Sequence, residues 1–206
     1  LFRDRAAIAR RRLDVRHFKD VLSIENHSVD AEGMVSYEAL VGACLAKGVM
    51  PAVVPQLKTI TLGGAVAGVG IESSSHRHGL VHDTMLELEV LLGDGSIVTA
   101  APDNEHADLF FGFPNSYGTL GYALRVKART VPVKPYVRLE HRRFSDASAF
   151  FAFLHACLEE GAADFIDGTA FDPGRMFLTL GRFADAAPYT SDYTFEKIYY
   201  RSIAER

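Results

Sequence analysis

Cysteine is scarce: the chain of 206 residues has two, Cys44 and Cys157. Each falls inside an apolar helical pattern, so both read as small buried residues in a reducing compartment, not as a disulfide. Acidic residues are in only slight excess, 26 against 22 Lys and Arg. The formal net charge is −4, which gives no global basis for binding nucleic acid. Long apolar runs are missing too, and no stretch approaches the roughly 18 residues of a membrane span. The sequence opens without a secretory signal, since Leu1 leads directly into charged residues, and without an initiator Met, so it reads as a fragment. What is present, 48% hydrophobic and 23% charged residues, suits a packed soluble protein with one domain and part of another.

Glycine, by contrast, is concentrated. Residues 55–79, PQLKTITLGGAVAGVGIESSSHRHG, carry Gly63, Gly64, Gly68 and Gly70, then Ser73, Ser74 and Ser75, and turn at Gly79. Such density implies unusual backbone dihedrals or close approach by another group. Bare amides and serine hydroxyls together make a nest for an anion such as a pyrophosphate. Gly68-Val69-Gly70-Ile71-Glu72-Ser73 is one residue short of the dinucleotide-binding fingerprint. That motif requires a strand before it and a helix after it, and SSSHRHGLVHD has no helical apolar period, so the fingerprint is rejected. Ile60, Leu62, Val66, Val69 and Ile71 instead predict an apolar loop packed into a core.

The rest of the chain reads as scaffold. Arg3, Arg5, Arg10, Arg11, Arg12 and Arg16 form a solvated edge, partly offset by Asp4 and Asp14. With Phe2 and Phe18 as the nearby aromatics, the stretch lacks the interleaving of a nucleic-acid face. Strand character at Leu13, Val15, Val21, Leu22 and Ile24 leads to a turn over residues 30–33. A helix follows, capped by Ser36 and ended by Gly48, with Leu40, Val41, Cys44 and Leu45 as its stripe. Leu86, Leu88, Val90 and Leu92 alternate with Glu87 and Glu89, giving a strand with those carboxylates at its surface. Asp94-Gly95 turns it back through residues 96–100. His76, His78, His82 and Asp83 lack the ligand spacing and cysteines of a zinc site, and no metal is assigned. A short helix spans residues 103–111. A strand follows in which Leu120, Tyr122, Leu124, Val126 and Ala128 oppose Arg125, Lys127 and Arg129.

Pro132 and Pro135 mark a boundary. Beyond it, Ser145 caps a helix striped by Phe150, Phe153, Leu154, Cys157 and Leu158 and closed by Gly161. Strands at 164–171 and 175–183 supply its partner surface. The tail, with Tyr189, Tyr193, Tyr199 and Tyr200 as core or interface aromatics, lacks a closing element.

Three stretches share a further pattern: P-x-L-x-x-x-T-x-G-G running into G-x-G-I-E-S-S-S-H; LEVLLGDGSIVTA; and DLFFGFPNSYGTLGYAL from Asp108 to Leu124. Together they resemble the flavin-binding part of the p-cresol methylhydroxylase and vanillyl-alcohol oxidase type, above all its delta(24)-sterol reductase branch. The resemblance spans residues 12–143 and implies an α+β chain in two parts. Residues 1–134 would be a two-subdomain FAD-binding domain whose first pyrophosphate loop ends at or before Leu1, with Arg3 near the cofactor. Residues 135–206 would begin a substrate or cap domain. The resemblance implies that FAD, held without a covalent link, lies along Pro55, Thr61, Leu62, Gly63, Gly64, Gly68, Gly70, Ile71, Glu72, Ser73, Ser74, Ser75, His76 and Gly79, and along Gly118, Leu120 and Gly121. The activity implied is that of an FAD-dependent oxidoreductase. Hydride would pass through flavin N5 to reduce a carbon–carbon double bond, or in reverse. The alternatives are an FAD-linked oxidase of a sugar or alcohol and a non-catalytic flavin-binding scaffold. A sterol-like or other lipid alkene substrate is implied, in the cytoplasm or peripheral to a membrane. No catalytic residue is assigned within these residues.

Overall fold

The computed structural model describes residues 13–191 and 199–204. The larger sheet contains β1 (Val21–Ile24), β2 (Ser28–Glu32), β3 (Val49–Pro51), β4 (Met85–Leu91), β5 (Ile97–Ala100) and β6 (Tyr122–Pro132). Its order is β1-β2-β6-β4-β5, with β3 beside the far end of β6, and every pairing is antiparallel. The smaller sheet is β7 (Tyr136–Phe144), β9 (Arg175–Ala184) and β8 (Phe165–Asp172), also antiparallel. Mixed helix and antiparallel sheet is thus the observed class.

Two apolar clusters match the two sheets. One face of the larger sheet contributes Val29, Ala31, Leu88, Val90 and Val126, all nearly inaccessible to solvent. They pack against α1 (Tyr37–Leu45) and α2 (Leu62–Ala67). Ser36 Oγ accepts the Ala39 amide and caps α1, as its position before the apolar stripe predicts. The second cluster joins Phe150 and Cys157 of α5 (Ala147–Glu159) to Met176, Leu178 and Leu180 of β9. Its period was legible, though the cap is Asp146 and not Ser145, because Asp146 Oδ2 reaches the Ala149 amide at 2.7 Å. Both cysteines are free and buried.

Other expectations shift. Asp30, Ala31 and Glu32 lie in β2, paired along β6, and the turn comes at Gly33–Met34. Residues 13–20 are not strand. The helix expected over 103–111 is α4 (Ala107–Gly112), because residues 102–106 turn around the Asn104 side chain. Tyr122 is exposed and Ala123 buried, a change of phase where the β4–β6 register slips between Glu89 and Val90.

Glu87 and Glu89 are not merely surface carboxylates. With Asp30 they surround Arg125, whose guanidinium donates to Asp30 at 2.6 Å and Glu87 at 2.5 Å, with Glu89 at 3.8 Å. The cross-strand register brings them together, since Glu89 sits opposite Arg125 and both Glu87 and Asp30 sit opposite Lys127. The chain also has a helix after its second sheet, α6 (Tyr199–Ala204), whose Ile203 is fully buried, contrary to the expected open tail. Tyr189 is exposed and not core. Tyr193 and the arginines from Arg3 to Arg12 lie outside the described residues.

Candidate functional site

The glycine stretch is not a loop throughout. Thr61 Oγ1 accepts the Gly64 amide at 3.2 Å and opens α2, in which Leu62, Ala65 and Val66 recur at helical spacing and are buried. The helix stops at Gly68, and no strand precedes the Gly68–Gly70 pair, which agrees with rejecting the dinucleotide fingerprint. The chain then runs in the open to the single turn α3 (Ser75–His78), capped by Gly79 at φ +78.

Several predicted site residues hold this architecture together. Pro55, Leu62 and Gly63 are buried. The Leu62 and Gly63 amides donate to Val35 and Gly33 carbonyls. Ser74 Oγ donates to Ala52 O at 2.9 Å, and Ser75 Oγ accepts the Glu72 amide at 2.9 Å. The Glu72 carboxylate accepts the Gln56 amide, and burial pushes its pKa up against that bond, with Asp167 adding to the rise. His76 has one ring nitrogen 3.1 Å from Ser73 O and the other 3.2 Å from Ala163 O. Burial, with Arg129, Arg77 and His76 nearby, pushes the pKa of His78 down.

Between these fixed points several backbone amides lack a partner, those of Val69 and Ile71 on exposed residues and that of Ser74 on a buried one. Those of Val69, Gly70, Ile71, Ser73 and Ser74 donate to no other described residue. Backbone donors left uncovered are costly unless water or a ligand meets them. A run of them makes a concavity for an anion. Val69 and Ile71, 51% and 73% exposed, flank the run with apolar surface.

The second predicted segment reaches the same place. The Tyr117 amide donates to Ala67 O at 3.0 Å, joining the 115–121 turn to the end of α2. Asn115 and Tyr117 have φ of 59° and 49°, unusual for residues with side chains, and Gly118 and Gly121 also have positive φ. A β-carbon on Gly121 would lie 2.6 Å from Leu91 O. Leu120 and Tyr117 are exposed, and Tyr117 is tied to the end of α2 just before the amides. No sequence signal marks Tyr117, whose positive φ is a product of the turn. Amides for phosphate oxygens and apolar side chains for flat rings fit a dinucleotide with an extended aromatic group.

The two sheets meet next to this site. A cavity of about 680 Å³ opens there, lined by Met50, Ala52, Ser74, Arg77, Phe165 and Phe183 among others. Its volume is that of a small-molecule site. Among the described residues no three His, Cys, Asp or Glu side chains are grouped to hold a metal. No helix among them is long and apolar enough to cross a membrane.

Comparison with known proteins identifies the family of this segment. The family model described as FAD binding domain matches residues 11–101. The chain is 32% identical over 184 residues to a delta(24)-sterol reductase of Pisum sativum, covering 84% of this chain and 32% of that protein. To the delta(24)-sterol reductase of Homo sapiens it is 32% identical over 171 residues, covering 82% and 33%. A cytokinin dehydrogenase 7 of Oryza sativa subsp. japonica is 29% identical over 144 residues, covering 68% and 27%. The chain thus spans about a third of the length of the curated relatives it matches.

Proposed function

Because this chain carries an FAD-binding domain of the p-cresol methylhydroxylase type, we propose that it is the cofactor-holding part of an FAD-dependent oxidoreductase that reduces a carbon–carbon double bond, or runs the reverse reaction. The observation that carries this reading is the set of unpartnered amides at Val69, Gly70, Ile71 and Ser73, close to the Tyr117–Gly121 turn. Both segments were singled out for the flavin, and the Tyr117–Ala67 hydrogen bond joins them.

FAD, when bound, supplies hydride transfer at its N5. The chain's own residues bind and orient. Amides 69–71 and 73 receive phosphate oxygens, the Ser73 hydroxyl adds a donor, the buried Ser74 ties the segment to Ala52, and Val69, Ile71, Tyr117 and Leu120 exclude water from the rings. Thr61, Leu62, Gly63 and Gly64 set the helix end from which the run departs, Glu72 and Ser75 fix its shape, and Gly118 and Gly121 allow the second segment to approach. Pro55 and Gly79 close the two ends of the segment. The cofactor is held without a covalent bond. The chain divides at residues 134/135, a reading supported by its passage from β6 to β7 there. The second part begins a domain over the cofactor. The substrate class is a small apolar alkene, sterol-like by similarity to the delta(24)-sterol reductases. The protein works in the cytoplasm, in peripheral contact with a membrane when it takes such a substrate.

The test is the absorption spectrum of the purified protein before and after acid precipitation. Oxidised-flavin bands that pass into the supernatant are expected. Colour held in the pellet would mean a covalent flavin. It would favour the second reading, an FAD-linked oxidase of a sugar or alcohol. A colourless protein that takes up no added FAD would overturn both.

A further inference from the structure

We propose that Asp164, in the smaller sheet's leading loop, is a positioning residue that aims the open amides of the 69–74 run at the cofactor; this rests on the flavin reading of that run. Three residues of one short stretch grip three residues of the cofactor segment. The Ile166 amide donates to Ser73 O at 2.8 Å. Ala163 O lies 3.2 Å from the His76 ring. Asp164 Oδ1 accepts from Arg77 Nη1 at 2.6 Å. Asp164 is itself pinned, because its Oδ2 accepts the Phe183 amide at 2.8 Å and its own amide donates to Gly181 O at 2.9 Å. Its carboxylate therefore links α3 directly to the backbone of β9.

The geometry has a directional consequence. In a trans peptide the C=O and the following N–H point opposite ways. Tying Ser73 O to Ile166 turns the Ser74 amide away from the smaller sheet and fixes the peptide at which the exposed Val69–Ile71 stretch ends. His76 and Arg77 hold the next turn, so the run cannot rotate about its own axis without breaking the ion pair. Ordering a backbone before the ligand arrives removes that entropic cost from binding. Asp164 thus raises affinity for a phosphate-bearing cofactor without being one of the donors.

The experiment is FAD titration of apo-protein, followed by flavin fluorescence, for wild type, Asp164→Asn, Arg77→Gln and the double variant. Ile71→Asp serves as a control inside the site. Each single variant at the pair should weaken FAD roughly five- to tenfold. The double variant should weaken it no more than the worse single, since both remove one link. The visible circular dichroism of the bound flavin should change, and Asp164→Glu should restore most of the affinity. A merely structural pair would lower the melting temperature and leave dissociation constant and flavin dichroism as in wild type, which would overturn the proposal. Arg77 is 42% exposed at its side chain, so Arg77→Gln keeps the test open if Asp164→Asn does not fold. If wild type and Ile71→Asp bind FAD alike, the site reading itself has failed. If Ile71→Asp loses FAD while the pair variants bind as wild type, only the positioning role has failed.

Discussion

Gly63 sits where a β-carbon would lie 2.9 Å from Gly33 O and 3.3 Å from Ala123 O. Both are backbone atoms that cannot swing aside, so Gly63→Ala should destabilise the chain by about 1–3 kcal/mol, seen as a lower denaturation midpoint. Gly64 is different. Its added carbon would meet Thr61 Oγ1 at 2.8 Å, so Gly64→Val disturbs the cap of α2 as well as any ligand above it. Ile71 gives the cleaner probe, because a side chain 73% exposed supports no packing. Ile71→Asp places a carboxylate among donors arranged for phosphate. FAD affinity should drop at least about tenfold with the melting temperature unchanged, checked by titration and thermal melts.

At the scale of the element, β6 carries most of the organisation. It pairs with β2, β3 and β4, presents Val126 to the core and Arg125 to the opposite face. Removing that guanidinium leaves Asp30, Glu87 and Glu89 facing one another in a half-buried setting. Arg125→Met should therefore cost roughly 1–3 kcal/mol. Urea melts of wild type and variant would measure that loss, and an unchanged midpoint would show that the ion cluster contributes nothing. Helix α2 depends on its cap, and Thr61→Ala should remove about 1 kcal/mol and loosen the start of the cofactor segment.

On the scale of the molecule, two carboxyl groups, one from each part of the chain, are raised by burial. Burial pushes the Asp167 pKa up, opposed by its bond from Thr169, and Glu72 is raised by burial and by Asp167. A carboxyl raised in the folded state binds its proton more tightly when folded. Its contribution is present at acidic pH and is lost as pH climbs from the ordinary carboxylate range through the raised folded value. Asp167→Asn should therefore raise the melting temperature at neutral pH. The gain should disappear near pH ~4, where wild type is protonated too. An equal gain at both pH values would show that the two groups do not titrate with folding.

Much of the fold was written locally. Ser36 before an apolar stripe, alternation through β4, the Asp94-Gly95 turn and the i, i+3, i+4 period of α5 each depend on neighbours a few residues away, and all appear in the structure. The cofactor segment was legible as a motif, GGAVAGVGIESSSH, because unusual backbone needs glycine and open donors need small residues. Its first half was misread as loop, since a six-residue helix rich in glycine has weak propensity and is held by burial of Leu62 and Val66. Glu87 and Glu89 looked like solvent-facing residues until strand register set Arg125 between them. Asp164 carried no signal, being 87 residues from Arg77 in sequence and 2.6 Å from it in space. Sequence by itself determined the family, an FAD-binding domain, through the spacing and residue types of its glycine- and serine-rich segment. Tertiary structure alone decided which distant residues hold those segments in place, because such contacts depend on how the sheets meet.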